Sequence, residues 1–560
     1  MKKKLITSFS ILILIYSCSL NSSENISAKN ENYKENLRIF ISDNYSNLQP
    51  NKSVKSISIT NTSLINKFYK RIKYTPIWIN DSININKNGS ELITLLSTSY
   101  NYGLDTSYYD SFIIKSLLKE LSMVKKKNER YILAAKIEIL LTKSYFQFGK
   151  DLNYGITNKD SSILVSEIPR KKFNIDLNKL LSNSFKTDSL IIDLLALQPQ
   201  HKEYKNLQKH FANYLKSASL SKEKFKVIPF RKDSLKAFEQ SKKALLLHKY
   251  IDINCSDSNY ILALEKFQIQ HGLKPDGLIG KNTAKALSKS PYSNYLKAVV
   301  SLEKWRWRNN WNEDYIYINI PSFNLKVYHH NQVQKQLNVV VGKPKTLTPE
   351  INDSMKYLMV FPYWNLPYSI SSKEVLPKIK KDSNYLKKNG YKLLTNKYKP
   401  LDENSINWNA ITVSNFNYKI RQDGGKKNAL GLIKFIFPNK HSIYIHDTPS
   451  KRYFNSEIRD FSHGCIRVQN PLALAKIILE TDNNKYSIDS VSTFIDLKKQ
   501  KQINLNRKIP VYIEYFTCGS DSNNTIVFYI DIYSKDNKMK ELMGLNKASY
   551  SDTKPALVSK

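Results

Sequence analysis

The stretch Ser462-His463-Gly464-Cys465-Ile466-Arg467-Val468 places a cysteine directly after a glycine, and another histidine, His446, lies 19 residues before that cysteine. Glycine allows a tight turn that presents the sulfur to a cleft, and a histidine close in space can take the thiol proton. The spacing is too long for one helical turn and suits two adjacent strands joined by a loop. We therefore predict that Cys465 is a nucleophile activated by His446.

The composition bounds the class of protein. The chain has 560 residues, enough for several domains, and a net charge of +39 that favours anionic partners. Its lysines are spread along the chain together with abundant Asn, Ile, Ser and Tyr, as expected from AT-rich coding DNA, and no nucleic-acid-binding motif is present. We predict no nucleic-acid partner, although the charge can hold the protein near an anionic surface.

The N-terminus has the pattern of an export signal. Lys2-Lys3-Lys4 precedes the apolar run Leu5–Tyr16, which is too short to span a bilayer. Cys18 follows a small residue, as at the cleavage site of bacterial lipoproteins, so residues 1–18 are predicted to be a signal peptide with Cys18 lipidated. An ordinary secretory signal with a chance cysteine is the alternative. Residues 19–35, rich in polar residues, are predicted to form a disordered tether.

Cysteine usage excludes a disulfide scaffold. The cysteines are Cys18, Cys255, Cys465 and Cys518, too few and too scattered for a disulfide framework. Cys255 and Cys518 could pair, or could be small buried side chains. No group of cysteines and histidines has the spacing of a zinc site, so we predict neither a metal nor another cofactor.

Apolar periodicity divides the chain into regions. Helical patterns such as 113–124 and 131–148 predict a helical scaffold domain over 36–234. Residues 235–290 form a compact helical unit with Phe-Gln-x-x-His-Gly-Leu at 267–273, then Pro-Asp-Gly, then Gly-x-x-Thr. This phrase resembles the small three-helix peptidoglycan-binding domain; a generic helical module is the alternative.

The C-terminal half has strand-like patterns. Residues 291–313 are predicted to be a linker whose tryptophans and arginines, such as Trp305 and Arg306, pack two domains together, with the arginines over aromatic rings. Residues 314–540 carry alternating apolar residues typical of strands, followed by a tail at 541–560. A long insertion at about 357–407 interrupts them and is predicted to be a lid or substrate-binding loop.

These motifs point to a family. The stretch from Tyr315 to Tyr533 resembles the large, multidomain branch of the L,D-transpeptidases. The resemblance implies an α+β multidomain fold: a helical scaffold, a three-helix peptidoglycan-binding domain, and a β-rich, β-sandwich-like catalytic domain with a capping subdomain. Besides Ser-His-Gly-Cys, it is carried by Val341-Gly342-Lys343-Pro344, Pro362-Tyr363-Trp364-Asn365, Arg421-Gln422, Asn428-Ala429-Leu430-Gly431, Phe435-Ile436-Phe437-Pro438-Asn439 and Asp531-Ile532-Tyr533.

The resemblance implies roles in catalysis. Cys465 matches the nucleophile and His446 its base, which is oriented by a backbone carbonyl at Asp447. His463 and Gly464 match the loop whose N–H groups, with that of Cys465, form an oxyanion hole. His463 could compete for the role of base, although its place in the loop disfavours this.

The resemblance also implies substrate contacts. Arg467 matches a residue that holds a substrate carboxylate, and Tyr444 and Trp364 match aromatic residues near the cleft. The departures are Phe361, where a smaller residue often stands, and the lipoprotein-like signal in place of a plain one.

The implied activity is acyl transfer through a thioester, from a peptidoglycan tetrapeptide stem to the amine of a second stem, giving a 3→3 cross-link. Carbapenems are then expected as covalent inhibitors. An L,D-carboxypeptidase and a protein-to-peptidoglycan ligase use the same cysteine with another acceptor. A non-catalytic wall-binding lipoprotein and an unrelated cysteine peptidase are more distant alternatives. The expected location is the periplasm of a Gram-negative bacterium, with a lipid anchor in the membrane.

Overall fold

The computed structural model divides the chain into two compact units. One contains the described residues up to Tyr100, with Asp105–Asp151 and Asn174–Leu197; the other contains Asn101–Leu104, Leu152–Phe173 and the rest from Gln198. The predicted signal peptide with Cys18, residues 19–22 of the predicted tether, and residues 546–560 lie outside the described residues. No helix in the described ranges is long and apolar enough to cross a membrane. These ranges are 23–46, 53–54, 57–58, 62–157, 166–521, 523 and 525–545.

The described helices and strands are as follows. The helices are α1 Ser23–Tyr45, α2 Thr62–Arg71, α3 Lys87–Ser97, α4 Ser111–Met123, α5 Lys127–Tyr154, α6 Leu177–Thr187, α7 Leu190–Leu195, α8 Lys202–Leu215, α9 Ser234–Leu247, α10 Asp257–Gln270, α11 Lys281–Leu287, α12 Pro291–Arg306, α13 Tyr368–Ile370, α14 Leu376–Lys381, α15 Tyr385–Lys388, α16 Pro471–Thr481, α17 Ile488–Asp496 and α18 Lys535–Leu542. The strands are β1 Ser53–Val54, β2 Ile57–Ser58, β3 Tyr315–Asn319, β4 Asn324–His329, β5 Gln332–Gly342, β6 Ile351–Val360, β7 Trp364–Asn365, β8 Tyr391–Leu394, β9 Lys419–Gln422, β10 Ile433–Ile436, β11 Ile445–His446, β12 Asp460–Ser462, β13 Ile466–Val468, β14 Lys501–Glu514, β15 Cys518–Ser520 and β16 Ile526–Phe528.

The first unit is helical, as predicted, and is organised around α5. Glu138 of this helix is fully buried and accepts hydrogen bonds from the backbone N–H groups of Ile77 (2.7 Å) and Trp78 (3.0 Å) and from the Tyr69 hydroxyl (3.0 Å). Burial raises the pKa of Glu138 to about 7, although these hydrogen bonds oppose the shift. The buried carboxyl of Glu138 thereby fixes the segment around Ile77 and Trp78, which crosses α5.

Helix α1 begins inside the predicted tether. The expected disordered segment 19–35 is helical from Ser23 onward. Leu37, Ile41 and Tyr45, spaced by four residues on one helix face, are buried. This apolar stripe lies C-terminal to the polar stretch that suggested disorder, and its packing supports the helix.

The predicted scaffold boundary at 234 differs from the division seen in the structure. Helix α8 belongs to the second unit, because its Phe211 ring lies 5.8 Å from Tyr295 and its Tyr214 ring lies 5.1 Å from Phe528. Helices α9, α10 and α11 share a separate apolar core, as the three-helix pattern predicts. Gly272 ends α10 with φ +64°, a left-handed conformation that suits glycine.

The predicted linker 291–313 is instead largely the buried helix α12. Trp305 stacks on Phe516 with ring centroids 4.4 Å apart. The arginines of this segment form ion pairs rather than covering aromatic rings: Arg308, just after the helix, donates to Glu514 at 2.6 and 2.7 Å and to Glu350 at 3.0 Å. These groups are almost fully buried, so the segment belongs to the centre of the second unit.

Nine strands of the described chain form one sheet in the order β12-β5-β13-β11-β10-β6-β14-β3-β4. The long strand β5 pairs with β4 through its first half and with β13 and β12 through its second half. The sheet therefore closes on itself around a core, instead of forming the two separate sheets of a sandwich. That core includes Ile316, Ile318, Leu325, Val339, Met355, Leu358, Phe435, Ile445, Ile466, Val511 and Ile513, with Leu474 and Ile478 from α16.

The insertion starts and ends later than the predicted 357–407. Residues 357–360 belong to β6 and pair with β10, and Leu358 and Val360 are buried in the main core. The insertion proper carries the small sheet β7-β9-β8 and reaches at least Gln422. It has its own core, which includes Leu366, Val375, Leu376, Ile379, Leu386, Leu393, Phe416 and Ile420.

We expect Arg308→Met to lower the free energy of unfolding by about 3–5 kcal/mol, because Glu514 and Glu350 lose a buried counter-charge. Chemical denaturation of the full chain measures the loss. Arg231→Met, at an exposed arginine, is the matched control and should change stability by less than about 0.5 kcal/mol. Equal effects of the two substitutions would contradict the structural importance of the buried pairs.

Candidate active site

Two short parallel strands bring the predicted catalytic residues together. β11 pairs with β13 so that Ile445 lies opposite Ile466 and His446 opposite Arg467, and the Ile466 N–H donates to the Tyr444 carbonyl at 3.1 Å. Ile445 and Ile466 are buried in the sheet core. Because side chains alternate along a strand, the side chains of Tyr444 and His446 lie on the opposite face, together with those of Cys465 and Arg467.

The Cys465 thiol is partly exposed and lies among polar groups. Its Sγ lies 3.9 Å from the Ser442 carbonyl oxygen. Burial raises the pKa of the thiol; the backbone N–H and hydroxyl of Tyr444 and the positive charges of Arg467 and Lys434 oppose that shift. The sulfur and the His446 ring are not hydrogen-bonded to each other here, as is common in catalytic pairs without substrate.

Tyr444 connects the thiol to the insertion. Its hydroxyl interacts both with Cys465 and with the side chain of Trp364 from strand β7. The Tyr444 ring also contacts the His446 ring edge-on, with centroids 5.6 Å apart. Tyr444 and Trp364, predicted only as aromatic residues near the cleft, are therefore part of the thiol's immediate surroundings.

His446 is buried and neutral at physiological pH. Its Nδ1 lies 2.5 Å from the backbone oxygen of Asp447, the contact that the sequence predicts. Burial lowers the pKa of His446 to about 3, with a further contribution from the charge of Arg467. The Asp447 carboxylate is engaged elsewhere, by the Leu432 N–H at 2.9 Å and Lys451 at 2.5 Å.

The loop before Cys465 is held by its own hydrogen bonds. The Ser462 hydroxyl donates to the Cys465 carbonyl at 2.6 Å and accepts from the Gly464 N–H at 3.1 Å. Thr348 donates to the Gly464 carbonyl at 2.7 Å. The Gly464 N–H, expected in the oxyanion hole, is thus already used within the loop, which leaves the N–H groups of His463 and Cys465 as the loop's candidate donors.

His463 points toward the insertion. Its Nε2 lies 2.9 Å from a carboxylate oxygen of Glu374, and both side chains are roughly half exposed. This contact occupies the imidazole and disfavours His463 as a base for the thiol. It also links the cysteine loop to the insertion through side chains.

Two cations share the face of the sheet with the thiol. Nε of Arg467 is buried and has no hydrogen-bond partner among the described residues, and its guanidinium lies 5.8 Å from the centroid of Tyr453. Lys434 of β10 lies opposite His446, with Nζ 5.5 Å from the Tyr444 ring centroid. Lys434 was not among the residues predicted from the sequence, although a lysine within the apolar strand pattern 432–437 was an available signal.

Cys255 is partly exposed and Cys518 is buried, and both are free thiols, so they do not pair. Among the described residues, Asp314, His329 and His330 place possible ligand atoms within 4.8 Å of one another. Arg507 already pairs with Asp314 at 2.8 Å, which puts a positive charge beside any cation there.

Comparison with known proteins identifies the class. Residues 313–513 match the YkuD family, described as the L,D-transpeptidase catalytic domain, and residues 63–210 match the scaffold domain. The chain therefore carries an L,D-transpeptidase catalytic domain of the cysteine-dependent YkuD family at residues 313–513, with a scaffold domain at residues 63–210, and the predicted resemblance is confirmed for these two domains.

Individual relatives cover only part of the chain. A Haemophilus influenzae protein described as "Putative L,D-transpeptidase" is 34% identical over 228 residues, which are 40% of this chain and 45% of that protein. The chain thus matches less than half the length of this relative. A solved L,D-transpeptidase from Mycobacterium smegmatis aligns with 37% of this chain and 60% of its own at 14% identity, with a TM-score of 0.17, too low to support an argument.

We expect Gly464→Ala to slow alkylation of Cys465 by iodoacetamide by about tenfold, because a small misplacement of a reacting group is costly. Gly464 has φ +116°, and an added Cβ would lie 3.2 Å from the Ile443 side chain. Gly390→Ala is the control: Gly390 has φ +65° but open space around its Cβ position, so only backbone strain of about 1–2 kcal/mol applies. Mass spectrometry of the Cys465 peptide measures the rate; similar rates for both variants would contradict the tight fit of the loop.

Proposed function

We propose that the protein forms 3→3 cross-links in peptidoglycan, with Cys465 as the nucleophile and His446 as its base. The observation that carries this proposal is the shared face of the β11–β13 pair, on which Cys465, His446, Tyr444 and Arg467 lie together. The family assignment supplies the reaction class, and the residues of this face supply the groups that the reaction needs.

The first half of the reaction is acylation. The Cys465 sulfur attacks the carbonyl between the third stem residue, a diamino acid, and the terminal D-Ala of a tetrapeptide. His446, neutral before the reaction, accepts the thiol proton and returns it to the amine of the leaving D-Ala. The C–S bond forms and the C–N bond breaks, which leaves a thioester on Cys465.

The negative charge on the oxygen of the tetrahedral intermediate requires hydrogen-bond donors. The backbone N–H groups of His463 and Cys465 are free of the loop's internal hydrogen bonds and are the proposed donors, each worth about 3 kcal/mol of barrier by analogy with other acyl-transfer sites. Arg467 is proposed to bind a stem carboxylate, since its buried Nε lacks a partner among the described residues. Trp364 and Tyr444 form the wall beside the thiol.

The second half of the reaction is acyl release. The side-chain amine of a second stem attacks the thioester and restores the thiol, giving the cross-link. Water as the acceptor would make the protein an L,D-carboxypeptidase, and a protein lysine would make it a ligase. These outcomes differ only in the product, so the product assay must separate free tetrapeptide, tripeptide and cross-linked dimer.

The remaining regions fit action on the cell wall. The three-helix unit of α9–α11 is proposed to bind peptidoglycan, which would keep the site near its polymer. Export, with Cys18 as the lipid anchor in a Gram-negative periplasm, completes the proposal. Palmitate labelling that disappears in Cys18→Ser tests the anchor separately from the chemistry.

We expect Cys465→Ala to abolish cross-linked dimers formed from purified tetrapeptide muropeptides, because no thioester can form. Cys255→Ala, at another partly exposed free cysteine, should leave dimer formation unchanged. Chromatography with mass spectrometry measures the products. Dimers at the normal rate from Cys465→Ala would rule out Cys465 as the nucleophile, and tripeptide without dimer from the unmodified chain would favour the carboxypeptidase.

A carbapenem should acylate the same sulfur. The β-lactam carbonyl is opened by the Cys465 thiolate, so the intact mass should rise by that of one carbapenem. Cys465→Ala should show no adduct, whereas Cys255→Ala should retain it. An adduct that persists in Cys465→Ala would show that the drug reacts at another residue.

A further inference from the structure

Lys434 is a partly buried lysine with no assigned role. In the β10–β11 pair it lies directly opposite His446, and in the β10–β6 pair it lies opposite Met359. Its Nζ is 5.5 Å from the ring centroid of Tyr444, the residue that also interacts with Cys465. Among the residues that the structure describes, its ammonium has neither an ion pair nor a hydrogen bond; burial lowers its pKa, and the nearby Cys465 opposes that shift.

The charged groups around this face are unevenly distributed. From β11, Lys434 faces Tyr444 and His446, and β13 contributes Arg467; the neighbour on β6, Met359, is uncharged. The nearby carboxylates of Asp447 and Glu374 are each paired with another side chain.

Two carboxylates lie near this face and both have partners. Asp447 is held by Lys451, and Glu374 pairs with His463. The thiol therefore experiences two cations, Lys434 and Arg467, without a neutralising carboxylate bound to either. Such an arrangement favours a negative charge on the Cys465 sulfur and disfavours a positive charge on the His446 imidazole.

We propose that Lys434 is a positioning residue that stabilises the Cys465 thiolate electrostatically and keeps His446 neutral. This inference rests on the proposed role of Cys465. It explains how a histidine that is neutral at rest stays available to accept the thiol proton during attack, while the cations stabilise the negative charge that forms on sulfur. The charge of Lys434 lowers the pKa of both Cys465 and His446, and for Cys465 it opposes the larger effect of burial, which raises the pKa of the thiol.

Alkylation of the full-length chain tests this inference without a wall substrate. The rate at the Cys465 peptide is measured from pH 5 to 10 with neutral iodoacetamide and with anionic iodoacetate. In Lys434→Met we expect the iodoacetamide rate at pH 7 to fall by about five- to tenfold and its pH profile to move to higher pH, because one pKa unit is a factor of ten. The preference for iodoacetate over iodoacetamide should fall as well, since that ratio reports local positive charge.

Two variants complete the experiment. Lys434→Arg keeps the charge and should retain a profile close to that of the unmodified chain. Lys356→Met removes an exposed lysine from the neighbouring strand β6 and should change nothing. Circular dichroism and thermal unfolding verify that each variant is folded.

The outcomes separate this inference from the proposed function. An unchanged profile in folded Lys434→Met overturns the inference, as does a folded Lys434→Arg that is as slow as Lys434→Met, because shape rather than charge would then matter. If dimers persist in Cys465→Ala, the proposed function fails instead, whatever the alkylation profile shows.

Discussion

The register of the β11–β13 pair is the constraint on which the candidate active site depends. One backbone hydrogen bond, from Ile466 N–H to the Tyr444 carbonyl, fixes which residues face each other. Cys465 then lies on the same face as His446. Since side chains alternate, a slip of one residue would turn the thiol and the imidazole to opposite faces. The buried residues Ile445 and Ile466 oppose such a slip, because it would expose them.

The rest of the second unit holds this register. β11 pairs with β10, β10 with β6, and β6 with β14, so the short strands are extensions of a longer framework. Arg308 joins that framework at two points, since Glu350 directly precedes β6 and Glu514 ends β14. Buried charges are weak evidence for extra stability, but removing one partner of such a pair is costly. The segment around α12 thus fixes the ends of the two strands that support the site.

Local patterns in the sequence predicted more than long-range contacts did. The cysteine loop, the strand that carries His446 and the insertion were recognisable because their signals lie within a few residues. The contacts around the thiol could not be predicted in this way. Lys434 lies near the thiol because of pairing between strands, and the Gly464 N–H is bonded to Ser462 through a turn that the sequence does not specify. The α12 segment was predicted to be a linker because the sequence alone does not distinguish buried arginines from arginines on the surface.

The low pKa of His446 changes how the proposed mechanism must work. A base that is neutral at rest accepts the thiol proton during attack, and the charges around sulfur then stabilise the thiolate that forms. The insertion belongs to the same environment, because Trp364 interacts with the Tyr444 hydroxyl and Glu374 binds His463. Movement of the insertion would therefore change the surroundings of the thiol as well as the access to it. The same contacts therefore connect the insertion to both the nucleophile and its loop.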